Sequence, residues 1–169
     1  MSMTDCKTPS RRTVVCALAM PLALAACSRG TGFILDDVSL ADARSMEDQA
    51  LVMLNAFRQQ NDRNALSIDN ALARAAANQS TIMLRKQTMK HEFGPSTRFK
   101  KRLRDADVES RIAAENIAVG QYDVKRVIQA WIDSRPHRKN MLLERVDRFG
   151  IAMRTGPNNR RWWTLIVAG

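Results

Sequence analysis

Apolar residues recur at three- and four-residue spacing between Leu40 and Gln60, at Met46, Ala50, Met53, Leu54 and Phe57. That period puts one buried stripe on an amphipathic helix. Asn61 to Leu66 interrupts it. A second helix is predicted from Asp69, a natural cap, with Leu72, Ala75, Ala76, Gln79 and Met83 on one face. Its many alanines favour close packing against a neighbour. His91-Glu92-Phe93-Gly94-Pro95 reads as a loop, because glycine and proline together disfavour regular structure. Ser96 is then expected to cap a short basic helix that carries Phe99 and Leu103 on one side.

Further along, the period changes. Glu115 to Gly120 alternates and contains Ile and Val, which predicts a brief strand ended by the glycine. Asp123 caps another helix, in which Val124, Val127, Ile128 and Trp131 fall at i, i+3, i+4 and i+7. It should stop near Ser134, since Pro136 disfavours helical geometry at Arg135. Two alternating runs, Phe149 to Arg154 and Trp162 to Val167, flank "TGPNNR", a hairpin signal with a loop longer than the tightest turns. Helices first, one strand among them and a hairpin last predict an α+β fold, a small antiparallel sheet covered by helices. Trp131 completes a helical stripe and is assigned to the core. Trp162 and Trp163 must point to opposite faces of a regular strand, so at most one can serve as a ligand platform.

The N-terminal stretch changes the picture of where such a domain works. "RRTVVCALAMPLALAAC", Arg11 to Cys27, has a basic start, an apolar middle and small residues before a cysteine. This is the layout of a cleaved export signal, too short and too badly flanked for a stable membrane span. Leu24-Ala25-Ala26-Cys27 resembles the bacterial lipobox, and that resemblance implies cleavage before Cys27 and lipid on its thiol. The expected organisation is a signal peptide over 1–26, a lipidated Cys27 with a tether over 27–45, and a single domain over 46–169. Ser28 in place of an aspartate after the lipidated cysteine favours the outer membrane, with the domain facing the periplasm.

Of three cysteines, Cys6 and Cys16 lie in the discarded part, so the mature domain is expected to hold together by its core without a disulfide. Residues 1–26 carry Lys7, Arg11 and Arg12 against Asp5, a net +2, so their removal leaves +8 of the formal +10. For an exported lipoprotein, that charge points to anionic phospholipid or lipopolysaccharide rather than to nucleic acid. The densest basic run, "RFKKRLR" from Arg98 to Arg104, reads first as a solvated helix face. The sharper reading is a surface lying on anionic headgroups beside the anchor, with Lys100, Lys101 and Arg102 at its centre.

The chain has two histidines, His91 and His137. In order, His91 after the second helix, "AENIAVG", "WIDSRPHRKNML" and a final hairpin ending "WWTLIVAG" resemble the CAP superfamily of cysteine-rich secretory, antigen-five and pathogenesis-related proteins. The likeness is to the small bacterial branch that lacks disulfides, and it covers roughly Met46 to Gly169. It implies an α-β-α sandwich with a cleft into which two histidines and acidic residues project. His91 and His137 match those histidines, and Glu115 matches the acid of a Gly-Glu-Asn motif whose glycine is here Ala114. The family's second acid falls at Ser134, a departure that weakens metal binding and proton transfer alike.

The residues by themselves leave several readings open. Two imidazoles and a carboxylate meet the donor types zinc prefers and leave a position for water or substrate, with His91 and His137 as metal ligands and zinc as candidate cofactor. Glu115 can instead orient a histidine, or form an acid–base pair with one. Each residue also has a purely structural role available: a hydrogen-bonded histidine, a glutamate answering backbone N–H groups, Asn116 as a backbone-bonding spacer, and Arg138 and Asn140 holding the loop to the sheet. Three functions follow. One is a monomeric, membrane-tethered binding module in which His91, Glu115, Ser134 and His137 line a cleft for a small ligand, lipid or peptide. Another is a zinc-assisted hydrolase using His91, His137 and Glu115. The last is a non-catalytic envelope interaction protein. The binding module is preferred to the enzyme.

Overall fold

The computed structural model describes residues 40–169. The export signal, the lipobox and residues 28–38 of the tether lie outside them. Five helices are described: α1 (Leu40–Gln59), α2 (Asn70–Lys86), α3 (Phe99–Asp105), α4 (Val124–Asp133) and α5 (Arg135–Met141). Four strands, β1 (Ser67–Ile68), β2 (Ala113–Val119), β3 (Arg148–Thr155) and β4 (Arg161–Ala168), form one sheet in the order β1-β3-β4-β2. Among the described residues no helix is long and apolar enough to cross a membrane.

The sheet is the middle layer of an α-β-α sandwich. On one face, Ala50 and Leu54 of α1, with Val127, Ile128 and Trp131 of α4, pack on Phe149, Ile151, Trp163 and Leu165. On the other, Leu72, Ala75 and Ala76 of α2 and Leu103 of α3 pack on Ala152 and Ile166, while Met83 and Leu84 enclose Trp162. Trp162 and Trp163 therefore face opposite sides as expected, and both are buried, so neither is a platform for a ligand. Close approach of α2 to β3 needs Gly150, because a Cβ there would collide with the backbone of Leu72 and Ala73.

Three local expectations are corrected. The sheet is not wholly antiparallel: β1 pairs with β3 in parallel, Ser67 opposite Arg148 and Ile68 opposite Phe149. Ser96 does not cap α3. It lies in a short 3-10 turn over Pro95–Thr97, and the exposed first N–H of α3, at Phe99, is taken by the Glu92 carboxylate at 3.1 Å. The segment around Pro136 is not a loop. After α4 ends at Asp133, Ser134 turns the chain and α5 begins, with Pro136 in the first turn, where a missing N–H costs nothing. The boundaries shift as well. β2 starts at Ala113, so Glu115 lies inside the strand, while α1 begins at Leu40, where the apolar period places it.

Other caps are as read. Asp69 accepts from the Ala71 and Leu72 N–H groups and is also paired with Arg148 at 2.7 Å. Asp123 accepts from the Arg126 N–H at 2.8 Å. These fix where α2 and α4 begin, and α2 delivers the loop that carries His91. Gln79, buried on α2, donates to the Lys90 carbonyl at 2.6 Å, one residue before that histidine.

Candidate functional site

β2 is an edge strand, hydrogen-bonded to β4 on one side only within the sheet. Successive side chains alternate across a strand, so Glu115 and Asn116 leave it on opposite faces. Glu115 goes to the α2–α3 side and Asn116 to the α4–α5 side. The candidate residues gather around this edge.

Glu115 is buried and enclosed by partners. Arg102 of α3 donates to Oε2 at 2.6 Å and to Oε1 at 3.0 Å, a two-pronged pair in which the side chains are 2% and 3% exposed. His91 Nδ1 lies 2.8 Å from Oε1, with the imidazole 53% exposed. Arg102 also donates to the His91 carbonyl at 3.2 Å and to the Thr97 carbonyl at 3.1 Å, so one guanidinium ties acid, histidine and loop together. A carboxylate in this setting is a hydrogen-bond partner for His91 Nδ1 and orients the half-exposed ring.

On the other face α5 presents His137. The Ser134 hydroxyl, which at a helix start would ordinarily answer a backbone N–H, instead meets His137 Nδ1 at 2.9 Å. Asn116 donates to the His137 carbonyl at 3.1 Å. Asn140 donates to Asn116 Oδ1 at 2.9 Å and to the Glu115 carbonyl at 3.3 Å. These amides bind α5 to the edge of β2. Burial pushes the His137 imidazole below the ordinary histidine range, and the His91 ring, near enough to act on it, pushes the same way.

His91, Glu115, Ser134 and His137 thus belong to one neighbourhood, with His91–Glu115 and Ser134–His137 as directly bonded pairs. Asn116 and Asn140 are structural braces between the pairs. Arg138 donates to the Ile132 carbonyl at 3.1 Å and holds α5 to the end of α4. Among the described residues no group of three or more His, Cys, Asp or Glu side chains is placed to hold a metal ion.

Sequence reasoning misses Arg102, setting it on the surface with Lys100 and Lys101. It is buried instead, and Lys101 is closed on Asp105 at 2.6 Å. A signal is available, since Arg102 follows Phe99 by three residues and precedes Leu103 and Ala106, all on the stripe that packs inward. Arg58 is missed too. Wholly buried on α1, it donates to the Met141 carbonyl at 2.7 Å and to the Leu143 carbonyl at 3.0 Å, clamping the end of the helix that bears His137.

The sequence model of the CAP, or cysteine-rich secretory protein, family matches residues 51–167. The uncharacterised protein YkwD of Bacillus subtilis is 30% identical over 105 residues, 62% of this chain and 41% of that protein. The chain therefore spans less than half the length of this curated relative. An outer surface protein of Borrelia burgdorferi has the same fold, with a TM-score of 0.68 and 20% identity over 75% of this chain and 94% of that one. An extracellular protein of Bacillus anthracis that contains an SCP domain superposes with a TM-score of 0.67 and 24% identity, covering 75% of this chain and 41% of that one.

Proposed function

The chain belongs to the cysteine-rich secretory protein (CAP) family, and on that premise we propose that it is an exported, lipid-anchored envelope protein whose two histidines bind a small ligand rather than drive hydrolysis. The observation that carries this reading is the enclosure of Glu115, whose two oxygens are engaged by Arg102 and His91. A carboxylate held in this way orients an imidazole and is poorly placed to take a proton from water. Ser134, where the family pattern has a second acid, adds a hydroxyl to the other histidine and no charge. What the site offers a guest is the imidazoles of His91 and His137, beside a buried ion pair of zero net charge.

The donor set fits zinc only in part. His91 and His137 would hold the ion, and its role there would be to polarise a bound ligand. Glu115 is committed elsewhere, and two protein nitrogens fall short of the three ligands usual for catalytic zinc. Export is supported by the signal layout of Arg11 to Cys27, and by the surface and extracellular settings of the Borrelia and Bacillus anthracis neighbours. Leu24-Ala25-Ala26-Cys27 supports the anchor at Cys27, and Ser28 supports the outer membrane. The proposed partners are that membrane and its anionic lipid or lipopolysaccharide, the domain acting as a monomer and without nucleic acid.

Calorimetric titration with zinc tests the site directly. Weak binding is expected, removed by His91→Ala and by His137→Ala, with no turnover of peptide or ester substrates in the presence of the metal. Zinc-dependent hydrolysis lost in both His91→Ala and Glu115→Gln would overturn the proposal in favour of an enzyme.

A further inference from the structure

The basic run from Arg98 to Arg104 does not form one charged face, because Arg102 is buried on Glu115 and Lys101 is paired with Asp105. Its exposed remainder borders something more specific. Lys100 and Arg104 stand at the rim of a hollow of about 450 Å³ whose walls include Phe99, Leu103, Val108 and Ala113. Arg111 and Ser110 continue that rim. A second hollow, of about 430 Å³, has Leu142 and Leu143 in its walls and Lys139 and Arg145 around it. Ile112 lines both, so the two are neighbours that share a wall.

Each hollow is apolar within and cationic at the lip. The one acid among the lining residues, Glu144, is paired with Arg63 at 3.3 Å. Lys100, Arg104, Arg111, Lys139 and Arg145 are all exposed, and none makes an ion pair among the described residues. Both volumes lie within the range of about 300–1,000 Å³ usual for small-molecule sites. A free phosphate or a nucleic-acid backbone would use the rim and leave the apolar walls wet. An acidic phospholipid uses both, with its phosphate among the cations and an acyl chain against the leucines and Phe99.

We propose that the paired hollows meeting at Ile112 are a docking site for acidic phospholipid. The proposal deepens the envelope reading above, rests on it for the source of the lipid, and makes no use of the histidines. It also replaces the face centred on Lys100, Lys101 and Arg102 with one in which Lys100 and Arg104 join Arg111, Lys139 and Arg145.

The test uses the full chain with Cys27→Ser, so that no acyl anchor is attached, and vesicles of phosphatidylglycerol in phosphatidylcholine against phosphatidylcholine alone. Preferential, salt-sensitive binding to the acidic vesicles is expected, weakened about fivefold for each rim cation removed in Lys100→Gln, Arg111→Gln, Lys139→Gln and Arg145→Gln. Unchanged preference in the quadruple variant overturns the proposal. Independently of any rim variant, phosphatidylglycerol with a photoreactive group at the end of its acyl chain should label peptides within residues 99–113 and 139–145. Labelling elsewhere, or labelling abolished by inorganic phosphate, overturns it too, the latter by assigning the rim to a free anion. His91→Ala with His137→Ala should leave the labelling intact. Loss of the zinc result with labelling retained sinks the histidine site alone, and the reverse sinks only the lipid site.

Discussion

Arg102 and Glu115 meet through two hydrogen bonds, at 2.6 and 3.0 Å, with both side chains almost wholly removed from solvent. Their mutual neutralisation makes a buried carboxylate tolerable next to a histidine. Arg102→Met leaves that carboxylate without its main partner and should lower stability by about 3–5 kcal/mol, read by urea denaturation. Arg102→Met combined with Glu115→Leu, which removes both charges, should be less destabilised than Arg102→Met alone. A double variant at least as unstable as the single one would show that the pair does not work as a unit.

The two histidines are coupled through their charges. Burial, and then the His91 ring, depress the His137 imidazole. Because its folded value lies below its unfolded one, the unfolded chain binds more protons between the two. The contribution of His137 to stability is therefore constant above the ordinary histidine range and falls as pH drops from there to the depressed value. In His91→Ala the single remaining imidazole should titrate higher, still below the ordinary range because burial persists. Proton NMR of its ring measures this, and an unmoved titration would mean the rings do not sense each other.

Asp69 anchors the start of α2 and, through Arg148, the start of β3. Burial alone would raise its carboxyl. The Leu72 N–H, Arg148 and the Ala71 N–H outweigh this and hold it below the usual carboxylate range. Its stabilisation is complete above the unfolded value and is lost as pH falls from that value to the depressed folded one. Asp69→Ala should cost about 1–2 kcal/mol at neutral pH. Asp69→Asn should keep part of the cap and show a smaller acid-induced loss, measured by thermal unfolding across the acidic range.

At Gly150 the constraint is space. A methyl group would press on the backbone of Ala73 and Leu72, with no side chain there to swing aside. Gly150→Ala should cost about 3 kcal/mol, the upper end for an overfilled core. A thermal midpoint equal to that of the parent chain would show that α2 can move off the sheet freely.

Much of this architecture is legible in the sequence where a long, regular period exists. The stripes of α1, α2 and α4 and the alternation of β3 and β4 are what burial of one face demands. The parts that escape are short or decided at a distance. β1 is two residues long, has no period of its own, and exists because Arg148 and Phe149 lie beside it. α5 is a short helix around a proline, held by Arg58 from another helix. At the candidate site, His91, Glu115 and His137 are found by residue type and family likeness. Arg102 is passed over because basic runs usually face water, and only its spacing from Phe99 and Leu103 argues otherwise.

The order β1-β3-β4-β2 places the two last strands of the chain at the centre of the sheet, with the earlier strands pairing only to them. A nascent polypeptide that has not yet reached Arg148 has no template on which β1, β2 or the inner side of α2 can settle. Both edge strands and the inner side of α2 therefore depend on the segment after Arg148, and a chain cut short before it would lack the pairing partners of β1 and β2 alike.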